Sequence, residues 1–180
     1  MRMEAGRSAL VLIDLQERLM PAMIAGDEVV ARGAILLEAA RVLDIPVLAT
    51  RQYPKGLGGL VAPFAERLDA AECHDKLAFS AFADDAVHGP LLGLGRDLFV
   101  LAGVESHVCV LQTALDLLAE GYRVAVVADA VTSRTGESRD LALARLRSQG
   151  AQIVNAEMVV FEWLERAGTD AFRKLSPLIR

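Results

Sequence analysis

A thiol, a carboxylate and an amine together can carry nucleophilic catalysis, and this chain offers one of each at an informative place: Cys109, Asp14 and Lys76. Cys109 lies in Gly103-Val104-Glu105-Ser106-His107-Val108-Cys109-Val110, between an apolar run and an amphipathic stretch. A thiol at the start of a helix meets unpaired N–H groups and the positive end of the helix dipole. Both lower its pKa toward the nucleophilic thiolate. The plainer reading of the same cysteine is a small core hydrophobe. Asp14 closes the run Ala9-Leu10-Val11-Leu12-Ile13-Asp14. A carboxylate there costs desolvation unless it is paired, and its plainer role is to cap the next turn. Lys76, in Cys73-His74-Asp75-Lys76-Leu77-Ala78-Phe79-Ser80-Ala81-Phe82, reads either as a snorkelling surface lysine or as a site cation. If the three converge, Lys76 stabilises a thiolate, Asp14 shuttles a proton, and backbone N–H groups hold an oxyanion.

Convergence depends on the elements that carry these residues. Residues 9–13, 98–102 and 124–128 are continuous apolar runs, the pattern of strands buried on both faces of a parallel sheet. Residues 46–50 and 151–154 are shorter candidates of the same kind. Apolar positions at helical spacing predict helices over 27–43, 108–120 and 136–148, the last two followed by Gly121 and Gly150 as C-terminal caps. From residue 157 onward one or two short helices are expected, suited to subunit contacts. Alternating strands and helices imply a doubly wound α/β sandwich with right-handed crossovers, one domain spanning residues 1–180. Such sheets place ligands beyond the C-terminal ends of their strands. Asp14, residues 51–60 and residues 103–107 all follow predicted strands, so they can meet at one edge. The segment from residue 51 to 71 is different: Pro-Lys-Gly-Leu-Gly-Gly at 54–59 is not expected to form regular structure, and a loop as long as 51–71 reads as functional.

Composition narrows the partners. The chain has 180 residues, 53% of them hydrophobic, which suits a folded domain with a real core. Its net charge of −5 is carried without basic clusters, so neither nucleic acid nor an anionic membrane is an expected partner. Two cysteines make no disulfide framework. Residues 1–7 lead into the first strand without a signal-peptide apolar region, and no run is long enough to span a bilayer. A cytoplasmic location is the expectation. The three histidines are His74, His88 and His107. His74 and His88 have no partners at metal-ligand spacing, and there is no His-x-x-x-His or Cys-x-x-Cys, so no metal is expected. The glycine stretches 56–59 and 93–95 match no phosphate-binding loop, so no cofactor is expected. His107 and Cys109 are two apart and do not face each other on a helix, although His107 can line a pocket.

Four segments together resemble the isochorismatase-like cysteine hydrolases, with closest likeness to the small isochorismatase-domain-containing proteins. They are Leu10-Val11-Leu12-Ile13-Asp14-Leu15-Gln16; Lys76-Leu77-Ala78-Phe79-Ser80-Ala81-Phe82; the stretch from Gly103 through Cys109 to Ala114; and Gly121-Tyr122-Arg123-Val124 through Asp129-Ala130-Val131-Thr132-Ser133-Arg134. A Gln-Tyr-Pro-Lys-Gly-Leu-Gly stretch, Gln52 to Gly58, adds to the likeness. The resemblance implies a three-layer sandwich: a six-stranded parallel sheet with helices on both faces. It implies Cys109 as nucleophile, Asp14 as general acid/base and Lys76 as the stabilising charge. It also implies a cis Val104–Glu105 peptide, and an oxyanion hole made by the N–H groups of Glu105 and Cys109. Metal-binding nicotinamidases of this family carry Asp-x-His…His after the second strand. Here the matching stretch is Thr50-Arg51-Gln52-Tyr53-Pro54, which speaks against that metal site. The resulting expectation is hydrolysis of a small amide, carbamoyl or related C–N substrate through a thioester, in a homo-oligomer. Leu19, Tyr53, Phe79 and His107 are its expected pocket walls. The alternatives are vinyl ether hydrolysis by Asp14 without the thiol, and a catalytically silent interaction protein of the same fold.

Overall fold

In the computed structural model, which describes residues 2–179, six strands form one sheet. They are β1 (Ser8–Ile13), β2 (Val47–Gln52), β3 (Cys73–Lys76), β4 (Leu98–Val104), β5 (Arg123–Thr132) and β6 (Gln152–Val154). Their order is β3-β2-β1-β4-β5-β6, and every pairing is parallel. The chain winds outward from β1 to β3, returns to the middle as β4, and winds outward again to β6. β1 and β4 are therefore neighbours whose onward connections diverge, the switch point at which such sheets open a crevice.

The helices are α1 (Gly26–Val42), α2 (Pro54–Leu57), α3 (Ala62–Ala65), α4 (Asp85–Gly93), α5 (Leu111–Ala119), α6 (Gly136–Ser148), α7 (Ala156–Leu164) and α8 (Asp170–Leu175). Side chains alternate across a strand, so each central strand feeds two cores. Ala9, Val11 and Ile13 of β1 join Phe99, Leu101, Val124 and Val126 in one cluster, with Val87 of α4, Ala114 and Leu117 of α5 and Leu146 of α6. Leu10 and Leu12 join Val100, Ala102, Ala125 and Val127 in the other, with Leu36 and Ala40 of α1, Val160 of α7 and Leu175 of α8. Helices thus cover both faces, as the continuous apolar runs require.

Several details depart from expectation. β3, with sequence Cys-His-Asp-Lys, is an edge strand in which Lys76 alone is buried. Residues 54–57 form a short helix, because Pro54 suits a first helical position and the Gly58 N–H closes the turn on the Pro54 carbonyl at 2.9 Å. The helix expected from residue 108 begins as a π-turn over Ser106–Val110, and α5 proper starts at Leu111. β5 runs to Thr132, with a register shift that moves its partner from Val126 opposite Leu101 to Val131 opposite Gly103. The irregularity brings Ser133 and Arg134 to the end of β4, beside His107 and Glu105. The C-terminal helices form as expected.

Candidate active site

Asp14 is the first residue beyond β1 and is fully buried. It sits in the left-handed region (φ +53°), which aspartate tolerates better than most residues. Its N–H bonds to the Thr50 carbonyl at 3.1 Å, and its Oδ1 accepts the Thr50 hydroxyl at 2.7 Å. Across the sheet, Gly103 faces Ile13. A Cβ at Gly103 would stand 2.0 Å from the Ile13 carbonyl oxygen, and Gly103 has φ +121°. Only glycine lets the ends of β1 and β4 approach this closely.

Lys76, at the end of β3, reaches inward and is as buried as Asp14. Its Nζ lies 2.8 Å from Asp14 Oδ2, with neither side chain exposed. Nζ donates to Gln52 Oε1 at 2.6 Å, to the Phe79 carbonyl at 3.0 Å and to the Ala78 carbonyl at 3.3 Å. Asp14 Oδ2, despite its proximity to the ammonium, accepts no well-aligned hydrogen bond. The backbone that supplies these carbonyls is pinned by Asp84, whose Oδ2 accepts the N–H groups of Leu77 (2.9 Å) and Ala78 (3.0 Å) while its Oδ1 caps α4 through Ala86 (3.0 Å). Burial would raise the Asp84 pKa, but those three N–H donors and the Lys76 charge hold it below its ordinary value. Gln16 secures the other side. Its amide accepts from the Gln52 N–H (2.8 Å) and donates to the carbonyls of Gln52 (3.1 Å) and Gly58 (2.9 Å).

Cys109 occupies the π-turn that leads from β4 into α5. Glu105, which follows a cis Val104–Glu105 peptide, accepts the N–H groups of Val108 (3.0 Å) and Val110 (3.2 Å) on its carbonyl oxygen. The thiol is 5% exposed and interacts with both Asp14 and Lys76. Its pKa runs opposite to the expectation from a helix start. Burial and the neighbouring Asp14 carboxylate push it up to about 12, against the downward pull of Lys76. The resting group is a neutral thiol.

The structure thus brings Asp14, Lys76 and Cys109 together, and it divides the expected pocket walls. Tyr53 is exposed (φ +39°), its ring resting on Gly56, where a Cβ would meet it at 2.6 Å. It borders a cleft of about 570 Å³ with Lys55, Lys76, Leu77, Asp84 and Asp85. Of the buried trio, Lys76 is the member among the described residues that lines this cleft. Phe79 is exposed, its carbonyl serving Lys76. His107 is half-buried and pairs through Nδ1 with the Ser133 hydroxyl at 2.9 Å. Leu19 is half-buried and packs against the core cluster that includes α1. Glu105 holds Arg134 through Oε2, 3.0 Å from both its backbone N–H and its Nε. Thr50, Gln52 and Asp84 complete the site. Thr50 and Gln52 lie in the last three residues of β2 and Asp84 precedes α4 as its N-cap, so their signals in sequence are polar residues closing a strand and an aspartate before a helix.

The chain belongs to the isochorismatase family: the family model described as "Isochorismatase domain" matches residues 8–158. Among curated relatives, "Isochorismatase domain-containing protein 2" of Danio rerio is 36% identical, the alignment covering 99% of this chain and 89% of the relative. "Secreted isochorismatase effector Isc1" of Phytophthora sojae is also 36% identical, over 96% of this chain and 84% of its own length. Among solved structures, the MAR1 ribonuclease of Caenorhabditis elegans superposes with a TM-score of 0.92 at 34% identity, covering 99% and 92% of the two chains. Pseudomonas aeruginosa YcaC, solved with hexane-2,5-diol and covalent acrylamide, gives 0.91 at 26% identity, covering 98% and 91%. Among the described residues no helix is long and apolar enough to cross a membrane, and no group of three or more His, Cys, Asp or Glu side chains is arranged to hold a metal ion.

Proposed function

We propose that the protein is a cysteine hydrolase of a small amide, carbamoyl or related C–N substrate, with Cys109 as nucleophile, Asp14 as general acid/base and Lys76 as charge partner. The observation that carries this reading is the buried trio itself: a thiol that interacts with both Asp14 and Lys76, and a carboxylate whose Oδ2 lies 2.8 Å from the Lys76 ammonium without a well-aligned hydrogen bond. Because the thiol does not ionise at rest, proton transfer must accompany attack. Sγ bonds to the carbonyl carbon as Asp14 Oδ2 takes the thiol proton, and the carbonyl π electrons move onto oxygen. The N–H groups of Glu105 and Cys109 are assigned to that oxyanion. Collapse re-forms the carbonyl and breaks the C–N bond, and the amine leaves with the proton from Asp14. Water then adds to the thioester, giving its proton to Asp14, and expulsion of sulfur returns that proton to the thiol.

The relative that carries covalent acrylamide, an unsaturated amide, fits this reading. The stretch that bears metal ligands in nicotinamidases is here otherwise engaged: Arg51 pairs with Asp75 at 2.6 Å and Gln52 with Lys76. The name of the Caenorhabditis neighbour raises RNA as a substrate. A net charge of −5 and a cleft bordered by Asp75, Asp84 and Asp85 weigh against a polyanion. Self-association belongs to the same proposal, on the exposed Tyr53, Leu77 and Phe79 near β3, and sedimentation velocity tests it. So does a cytoplasmic location, which suits two unpaired cysteines.

The test is a panel of small amides and carbamoyl compounds assayed for ammonia or amine release, with acid-quenched intact mass to trap the acyl adduct. Wild type should release amine and show the adduct, and Cys109→Ala should do neither. Release by Cys109→Ala at the wild-type rate would refute thiol catalysis, and ether cleavage by that variant would favour the isochorismatase-type reaction.

A further inference from the structure

The Lys76 ammonium has three hydrogens and four oxygens within reach: Gln52 Oε1 (2.6 Å), Asp14 Oδ2 (2.8 Å), Phe79 O (3.0 Å) and Ala78 O (3.3 Å). The well-aligned hydrogen bonds run to Gln52, Phe79 and Ala78, whereas Oδ2, at ion-pair distance, lies off a hydrogen-bonding direction. Gln52 wins the shortest of these bonds, and its amide has one sensible orientation. Nε2 donates to the Leu77 carbonyl at 2.9 Å, so a flipped amide would set donor against donor at Nζ and oxygen against oxygen at Leu77. Gln16 clamps both backbone polar groups of Gln52. This precision is spent on a side chain to which the proposed chemistry assigns no step.

We propose that Gln52 is a positioning residue: it draws the hydrogens of the Lys76 ammonium away from Asp14 Oδ2 and so keeps that oxygen open to the Cys109 proton. The inference rests on reading Asp14 as the base. Without the Gln52 acceptor, three oxygens remain for three hydrogens, and one of them is Asp14 Oδ2. The ammonium then stays satisfied only by donating to the carboxylate. A carboxylate that already accepts an N⁺–H bond is a poorer proton acceptor and exerts a weaker field on the thiol.

The test measures iodoacetamide modification of Cys109 between pH 7 and 10 by site-resolved mass spectrometry, in wild type, Gln52→Leu and Gln52→Glu. Gln52→Leu frees a hydrogen for Asp14 Oδ2 and weakens the field of that carboxylate on the thiol, so Cys109 should react at least about tenfold faster at pH 8. Gln52→Glu keeps an acceptor for Nζ and adds a negative charge, so Cys109 should react more slowly than in wild type. Simple loosening would expose the thiol in both variants and accelerate both. Shifts in the same direction, or a Gln52→Leu rate no higher than wild type, overturn the inference. Asp14→Asn separates the two levels. If it leaves the rate unchanged, the reading of Asp14 as base falls and the inference with it. If it accelerates modification while Gln52→Leu does not, the positioning role alone falls.

Discussion

Replacing Asp14 by Asn removes a charge from the buried site while nearly preserving its shape, and the outcome follows from the surroundings of the thiol. Asparagine Oδ1 still accepts the Thr50 hydroxyl, now 2.7 Å from the carboxylate. What is lost is the negative charge that, after burial, does most to raise the Cys109 pKa to about 12. At that value about one thiol in 10⁴ is ionised at pH 8, against roughly one in four for a free cysteine. Two unit charges at about 4 Å interact by about 4 kcal/mol at the effective dielectric of such sites, equivalent to about a thousandfold in the ionisation constant. Burial still opposes ionisation and Lys76 still favours it. Asp14→Asn should therefore raise the iodoacetamide rate of Cys109 at pH 8 by between about tenfold and a thousandfold, while abolishing amide turnover. The variant also leaves the Lys76 ammonium without its counter-charge, a loss of about 3–5 kcal/mol that the three remaining acceptors reduce. Circular dichroism and a thermal melt must show a folded protein before rates are compared. A folded Asp14→Asn whose Cys109 reacts no faster than wild type would refute the electrostatic argument.

Lys76→Met acts in the opposite sense. It leaves Asp14 buried and unpaired, so urea denaturation should show a loss of about 3–5 kcal/mol, and Cys109 should alkylate more slowly than in wild type. Gly103→Ala forces a Cβ to within 2.0 Å of the Ile13 carbonyl at a φ of +121°. Combined overpacking and backbone strain should cost about 3 kcal/mol or more, read as a lower denaturation midpoint. Cys109 also links stability to pH. Its folded-state pKa is raised, so the neutral thiol favours the folded state fully below the unfolded value and this advantage is lost as pH rises through about 12. The stability of wild type relative to Cys109→Ala should therefore decline between about pH 9 and 12, by up to about 4 kcal/mol, and a constant difference across that window would contradict the raised pKa.

What was legible in the sequence follows from which residues are buried on two faces. β1, β4 and β5 are central and apolar on both sides, so they stand out as runs, and the positions just beyond them, Asp14 and the Glu105–Cys109 segment, could be named. β3 could not be read this way. It is an edge strand that buries one residue of four, and that residue is a lysine. Its place in the sheet comes from pairing with β2, in which Gln52 stands beside Lys76. α4 was hidden for a similar reason: nine residues containing Gly89 and Pro90 carry little helical signal, and its start depends on the Asp84 cap. The raised thiol pKa has no signal in the sequence, because a helix start acts locally, whereas burial and the approach of Asp14 depend on strands far apart in the chain. The role of Gln52 was invisible because an amide at a strand end looks like any polar residue until its partners are known.

The neutral thiol also explains why the site needs an acid and a base in one place. A preformed thiolate beside Asp14 would put two negative charges against one ammonium in a region almost closed to water, with a desolvation cost that Lys76 alone does not offset. Keeping the proton on sulfur until attack holds the buried charge at one carboxylate and one ammonium. In the proposed step the carboxylate becomes neutral as the oxyanion forms, so the number of charges is unchanged and only the position of the negative one moves. Lys76, fixed by neutral oxygens and not by Asp14 alone, can remain in place while that charge passes from Oδ2 to the substrate oxygen. A catalyst whose dipoles and ammonium need not reorganise during charge transfer lowers the barrier most effectively. On the proposed mechanism, the dense bonding of Lys76 supports turnover as well as stability. A variant that preserves the Asp14–Lys76 ion pair but loosens the ammonium should fold normally and still lose rate.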